Sequence, residues 1–136
     1  MTDMKAIDTN ILARFFINDP NDVESARQQP LAIAVMEQAV FVSITVVLEF
    51  EWVMRGFYKL SRPQITSIFN ALLGFSHVTI EDRVFIQQAL DYYQRGLDFA
   101  DALHLVRARH CQAIVSFDQR FVKKARTLGL KIETPS

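Results

Sequence analysis

Short apolar runs that end in polar turn residues alternate with amphipathic, helix-length stretches along the chain, and this alternation restricts it to few folds. Met4 to Ile7 is apolar enough for a short buried strand, ended by Asp8-Thr9-Asn10. Ile11 to Ile17 then reads as helix, with Ile11, Leu12, Phe15 and Phe16 at helical spacing and Thr9 or Asn10 placed to cap it. Asn18 to Asp22 is turn chemistry. Val23 to Ala39 is helical around Pro30, which either starts a second helix or kinks the first. Val40 to Ser43 is a second strand, and Thr45 to Lys59 a strong helix with a stripe of Val46, Phe50, Val53 and Phe57, widened by Val47 and Met54. Ser61-Arg62-Pro63 caps a helix that runs to about Gly74, and His77 to Ile80 is a strand. Glu81-Asp82 opens a helix through Tyr93 that stops near Gly96, and Asp98 begins another that reaches about His110. Ala113 to Ser116 is a strand, Gln119 to Leu128 a helix closed by Gly129, and Lys131 to Glu133 an edge strand. Strands alternating with helices predict an α/β fold with a mainly parallel sheet covered on both faces.

At 136 residues, half of them hydrophobic, the chain reads as one domain, 1–136, large enough to bury roughly two thirds of its unfolded surface. Fifteen basic residues balance fifteen acidic ones, which disfavours a uniformly basic nucleic-acid binder but not a local basic patch. The one cysteine, Cys111, cannot form an internal disulfide and reads as a small buried hydrophobe, which fits a reducing compartment. No run approaches the roughly 18 apolar residues of a membrane span, and no signal segment stands at the start, so a soluble cytoplasmic protein is expected.

The chemistry concentrates in carboxylates. Asp98 and Asp101, in Asp-Phe-Ala-Asp-Ala-Leu-His-Leu, lie at i and i+3 and share a helix face, where like charges repel. They can be an N-cap and a first-turn acid, or part of a metal or catalytic site. Asp8 and Asp118 both leave the carboxyl ends of short strands, the edge at which ligands collect in open α/β sheets. Glu49 and Glu51 flank the apolar stripe of their helix, and periodicity does not choose between them. Several carboxylates gathered in one cleft require a cation, and an all-oxygen set selects Mg²⁺ or Mn²⁺. Such a site suits phosphodiester hydrolysis. Thr9, Asn10 and Ser116 are placed to orient the acids, although a strand-end hydroxyl such as Ser116 can equally bond local backbone.

Asp8-Thr9-Asn10, Glu49 within Val47-Leu48-Glu49-Phe50-Glu51, Asp98 to Leu105, and Ser116-Phe117-Asp118-Gln119-Arg120-Phe121 closely resemble the PIN-domain family, and within it the VapC-type toxins of toxin–antitoxin pairs. The resemblance covers nearly the whole chain. It implies a three-layer α/β/α sandwich with a short central sheet. It also implies an acidic quartet of Asp8, Glu49, Asp101 and Asp118 holding Mg²⁺ or Mn²⁺, with Asp98 as an accessory acid. It favours Glu49 over Glu51 by the spacing from Ser43. The implied activity is a Mg²⁺-dependent endoribonuclease cutting tRNA or ribosomal RNA. Such an enzyme is usually a homodimer, is silenced by a cognate VapB-type antitoxin, and meets DNA only through that antitoxin. The Gln28-Gln29-Pro30 region departs from the family pattern and affects only local helix geometry.

Arg120, Lys123, Lys124 and Arg126 follow Asp118 and can hold RNA backbone or simply form a solvated helix face. His77, His104 and His110 have no partner at a telling spacing, so histidine chemistry is poorly supported. The rivals are a nuclease of the same fold in RNA maturation or on structured DNA, and a protein-binding module whose acids only cap helices. A phosphatase with a strand-end nucleophile is disfavoured, because Asn10 stands where its second acid belongs.

Overall fold

Val40, Phe41 and Val42 form the middle strand of a three-stranded sheet. The computed structural model describes residues 3–136 and divides the chain into two compact units, Met1–Glu81 and Asp82–Ser136. The first unit holds β1 (Lys5–Ala6), α1 (Thr9–Phe16), α2 (Val23–Met36), β2 (Val40–Val42), α3 (Ile44–Gly56), α4 (Arg62–Leu73) and β3 (Val78–Ile80). Its strands run parallel in the order β1-β2-β3, with Lys5 opposite Val40, Val40 opposite Val78 and Val42 opposite Ile80. Parallel pairing needs a crossover between successive strands, and α1 with α2, then α3 with α4, supply it. Val40, Val42, Val78 and Ile80 are buried, and Leu12, Phe50, Met54, Ile65, Phe69 and Leu72 fill the core around them. Phe50 and Phe69 meet edge to face at 6.0 Å between ring centres. Each such side chain withdrawn from water stabilises the fold by roughly 1.5–3 kcal/mol.

Local chemistry sets the boundaries. One helix runs through Pro30, so neither a second start nor a break occurs there, and Pro30 itself is exposed. Ser61 and Gln64 close a capping box on α4, with Pro63 in the first turn, where no intrahelical donor is needed. Asp8, rather than Thr9 or Asn10, caps α1. On α3 the buried row is Val47, Phe50, Glu51 and Met54, while Phe57 is 70% exposed, so the stripe is turned from the expected one. The buried row includes Glu51, whose carboxylate is bonded to Arg55 on the same helix, so a charged position lies on a core-facing row that hydrophobicity alone would not select. Lys5 and Ala6 of β1 are exposed, against the expectation of a buried strand, and the following Ile7 carries the burial.

The second unit holds α5 (Arg83–Gln94), α6 (Phe99–Arg107), β4 (Ile114–Val115), α7 (Gln119–Thr127) and β5 (Ile132–Glu133). β4 and β5 pair in parallel, Ile114 opposite Ile132 and Val115 opposite Glu133. Tyr93 and Phe99, both buried, meet edge to face at 5.7 Å and tie α5 to α6. Gly96 ends α5 at φ +108°, and a Cβ there would lie 2.9 Å from Cε of Lys124. α6 stops at Arg107, short of His110, and Cys111 lies in the turn beyond it, exposed rather than buried as expected. Among the described residues no helix is long and apolar enough to cross a membrane.

Candidate acidic site

In the first unit the acids are held by hydrogen bonds. β1 delivers the chain to Asp8, whose extended backbone (φ −104°) turns the carboxylate back over α1, where Oδ1 accepts from the Ile11 N–H at 3.2 Å. The next residue, Thr9, is buried, and its hydroxyl donates to Oε1 of Glu49, one turn inside α3. Thr9 thus connects the Asp8 turn to Glu49 and fixes one oxygen of an exposed carboxylate. Asn10 is exposed and has no such bond to an acid among the described residues. Glu51 has the opposite character, with its side chain 4% exposed and paired to Arg55 at 2.9 Å. Of the two glutamates, only Glu49 presents its carboxylate to solvent.

In the second unit the acids are crowded by charge. Asp98 caps α6 and accepts the Asp101 N–H in a long bond of 3.4 Å. Asp101, in the first turn, is half-buried, and its carboxyl holds its proton more tightly than an ordinary aspartate. Burial is the main cause, and the negative charges of Asp98 and then Asp118 add to it, against a smaller opposing influence from His104. Asp118 caps α7, accepting the N–H groups of Arg120 and Phe121 at 3.1 Å each. Ser116 accepts the Asp118 N–H at 3.0 Å, which is the local backbone bond expected of a strand-end hydroxyl and also steadies the acid. Arg120, Lys123, Lys124 and Arg126 are all exposed on α7. The groove of about 420 Å³ lined by Val84, Gln87, Gln88, Asp91, Tyr92 and Arg109 contains none of these acids.

Three acids therefore cap helices, Asp8, Asp98 and Asp118, whereas Glu49 and Asp101 cap nothing. Capping accounts for the first three on its own, but it gives no reason for a half-buried Asp101 set against two like charges. The specific Thr9–Glu49 bond was not readable from the sequence, which offers only a hydroxyl beside Asp8 and a glutamate forty residues on.

A scan of known protein families matches residues 5–127 to the PIN domain. The chain belongs to the PIN-domain family. A search of curated proteins returned no match. PIN domains are a nuclease fold, generally metal-dependent and acting on RNA or DNA. The donors present suit a hard divalent cation, being carboxylate oxygens throughout, and the repulsion that raises Asp101 is the kind a cation relieves. Among the described residues, no three His, Cys, Asp or Glu side chains are drawn together tightly enough to ligate one ion. Within the second unit, Asp98, Asp101 and Asp118 are close enough for their charges to act on one another.

Proposed function

We propose that this PIN domain is a Mg²⁺-dependent endoribonuclease of the VapC toxin kind, with residues 1–136 acting as one nuclease domain. Asp8, Glu49, Asp101 and Asp118 are assigned to the metal and Asp98 to an accessory place, as in the family resemblance. The observation that carries the reading is Asp101, half-buried in the first turn of α6 with its proton affinity raised by burial and by Asp98 and Asp118. A bound divalent cation would activate water, polarise the phosphoryl oxygen and stabilise the leaving oxygen, and Mn²⁺ can stand in for Mg²⁺. The chain's own residues orient the acids. Thr9 holds one Glu49 oxygen, the Ile11 N–H holds one Asp8 oxygen, and Ser116 with the α7 N-terminus fixes Asp118. Cytoplasmic location, a homodimer, a cognate VapB-type antitoxin and tRNA or ribosomal RNA as substrate belong to the same proposal.

The caps at Asp8, Asp98 and Asp118 favour a second reading, a protein-binding module whose acids only stabilise helices. Cleavage of a mixed tRNA and ribosomal RNA pool separates the two. Discrete fragments with Mg²⁺ or Mn²⁺, absent with chelator and absent for Asp8→Asn, are expected of the nuclease. No cleavage by folded, antitoxin-free protein under any of these conditions overturns the nuclease and leaves the module.

A further inference from the structure

We propose that Phe117 is the platform on which one nucleobase of single-stranded RNA stacks, so that the residue before Asp118 holds a nucleotide beside that acid. The proposal rests on the nuclease reading for its meaning, but its observations are separate.

Phe117 is 77% exposed, more than any other phenylalanine among the described residues. Its ring meets no other aromatic ring or cation among them, whereas exposed Phe57 leans edge to face on Tyr58 at 4.8 Å. Trp52, also exposed, has ring atoms within 4 Å of where a Cβ on Gly56 would stand. A single exposed ring is ordinary on a protein surface, so what distinguishes Phe117 is the fixed backbone beneath it and the charge beside it.

The backbone that carries it is fixed. The Ser116 N–H donates to the Glu133 carbonyl at 2.9 Å, and the Asp118 N–H donates to the Ser116 hydroxyl at 3.0 Å. Gln119 Nε2 donates to the carbonyl of Phe117 itself at 3.3 Å. An exposed ring on a bonded turn is presented to a partner with little ordering left to do, which favours binding.

Charge selects the partner. Arg120, Lys123 and Lys124 share one face of α7, at i, i+3 and i+4, and Arg126 lies further along the same helix. All four are exposed, and none forms an ion pair with a described residue, whereas Arg27, Arg55, Arg95 and Arg107 do. A bare aromatic beginning a row of unneutralised cations matches a polyanion that also carries flat apolar faces. Single-stranded RNA is such a molecule, since in a duplex those faces are covered by their neighbours.

The test is binding of a fluorescein-labelled single-stranded RNA oligonucleotide to the full chain in chelator, read by anisotropy across a salt series. Phe117→Ala is expected to weaken binding by about tenfold, and Phe117→Tyr by less than about twofold. The ratio between wild type and Phe117→Ala stays constant with salt, because stacking releases no counterions, while both affinities fall. An oligonucleotide with abasic positions binds wild type and Phe117→Ala alike. Phe117→Ala melts at the wild-type temperature, as an exposed side chain should. Equal RNA affinity of wild type and Phe117→Ala overturns the proposal. So does an equal loss on abasic RNA, which would place Phe117 against backbone or protein rather than a base. Absence of RNA binding by wild type also overturns it. If Phe117-dependent binding survives but no metal-dependent cleavage is found, the platform stands and the nuclease reading falls. If cleavage is metal-dependent but Phe117 makes no difference, the reverse holds.

Discussion

Two aspartates at helix N-termini, Asp22 before α2 and Asp101 inside α6, have opposite environments. Asp22 accepts from both the N–H and the hydroxyl of Ser25, with the charge of Arg14 assisting, and its carboxyl is held below the usual aspartate range. Asp101 receives no comparable bonds among the described residues, is half-buried, and is pushed above that range by burial and by Asp98 and Asp118. A helix N-terminus welcomes negative charge, so both should be comfortable. That only one of them is separates an acid that serves the fold from an acid the fold tolerates. Glu49 stands between them, exposed like a solvated residue yet tied to buried Thr9.

The largest test of that contrast is activity. Asp101→Asn is expected to reduce metal-dependent RNA cleavage by about 100-fold or more, since it removes an acid assigned to a cation worth several kcal/mol. Asp22→Asn should cleave as wild type, and equal loss in both variants, measured as initial rates on one RNA, would erase the distinction. Metal-linked stability comes next. At free Mg²⁺ about 100 times its Kd, wild type should gain roughly 2.7 kcal/mol in denaturant melts, and Asp101→Asn most of that less. Thr9→Val tests the intermediate case. Removing a buried donor to a carboxylate should cost about 1–3 kcal/mol of stability and lower cleavage as well, in thermal melts and rate assays run side by side.

The smallest effect has the most telling sign. Asp101 binds its proton more tightly folded than unfolded, so its contribution falls as pH rises from the usual carboxylate range through its raised value. Without metal at neutral pH, Asp101→Asn should therefore melt about 1–2 °C higher than wild type, and the gain should vanish in acid. Asp22 is the mirror image. Its stabilisation is present above the usual range and is lost as pH falls toward its lowered value, so Asp22→Ala should melt lower at neutral pH and converge on wild type in acid. Melting curves of the two variants that shift the same way would show that Asp101 is merely another cap.

The alternation of strands and helices was legible because its signals are local. The Ser61 cap, the turn at Asn18 to Asp22 and the stop at Gly96 all stand where the residues put them. Asp8, Asp98, Asp101 and Asp118 were legible as candidates from their places at strand and helix ends, while Glu49 was singled out only by the family resemblance. What failed depended on tertiary context. The buried face of α3 includes Glu51, paired with Arg55, which hydropathy scores as surface. Cys111 would be core only if α6 continued past Arg107, and it does not. The bond from Thr9 to Glu49, and the exposure of Phe117, leave no mark on periodicity.

The division of the chain after Glu81 also bears on how the protein is made. A growing polypeptide emerges N-terminus first and folds by units. By residue 81 it has strands β1 to β3 and, with them, Asp8, Thr9 and Glu49, but Asp101 and Asp118 are still untranslated. Under the proposed function, the messenger being read and the ribosome reading it face only half of the acidic quartet until the last quarter of the chain is made. A nuclease encoded in this order would lack part of its acidic set for most of its own synthesis.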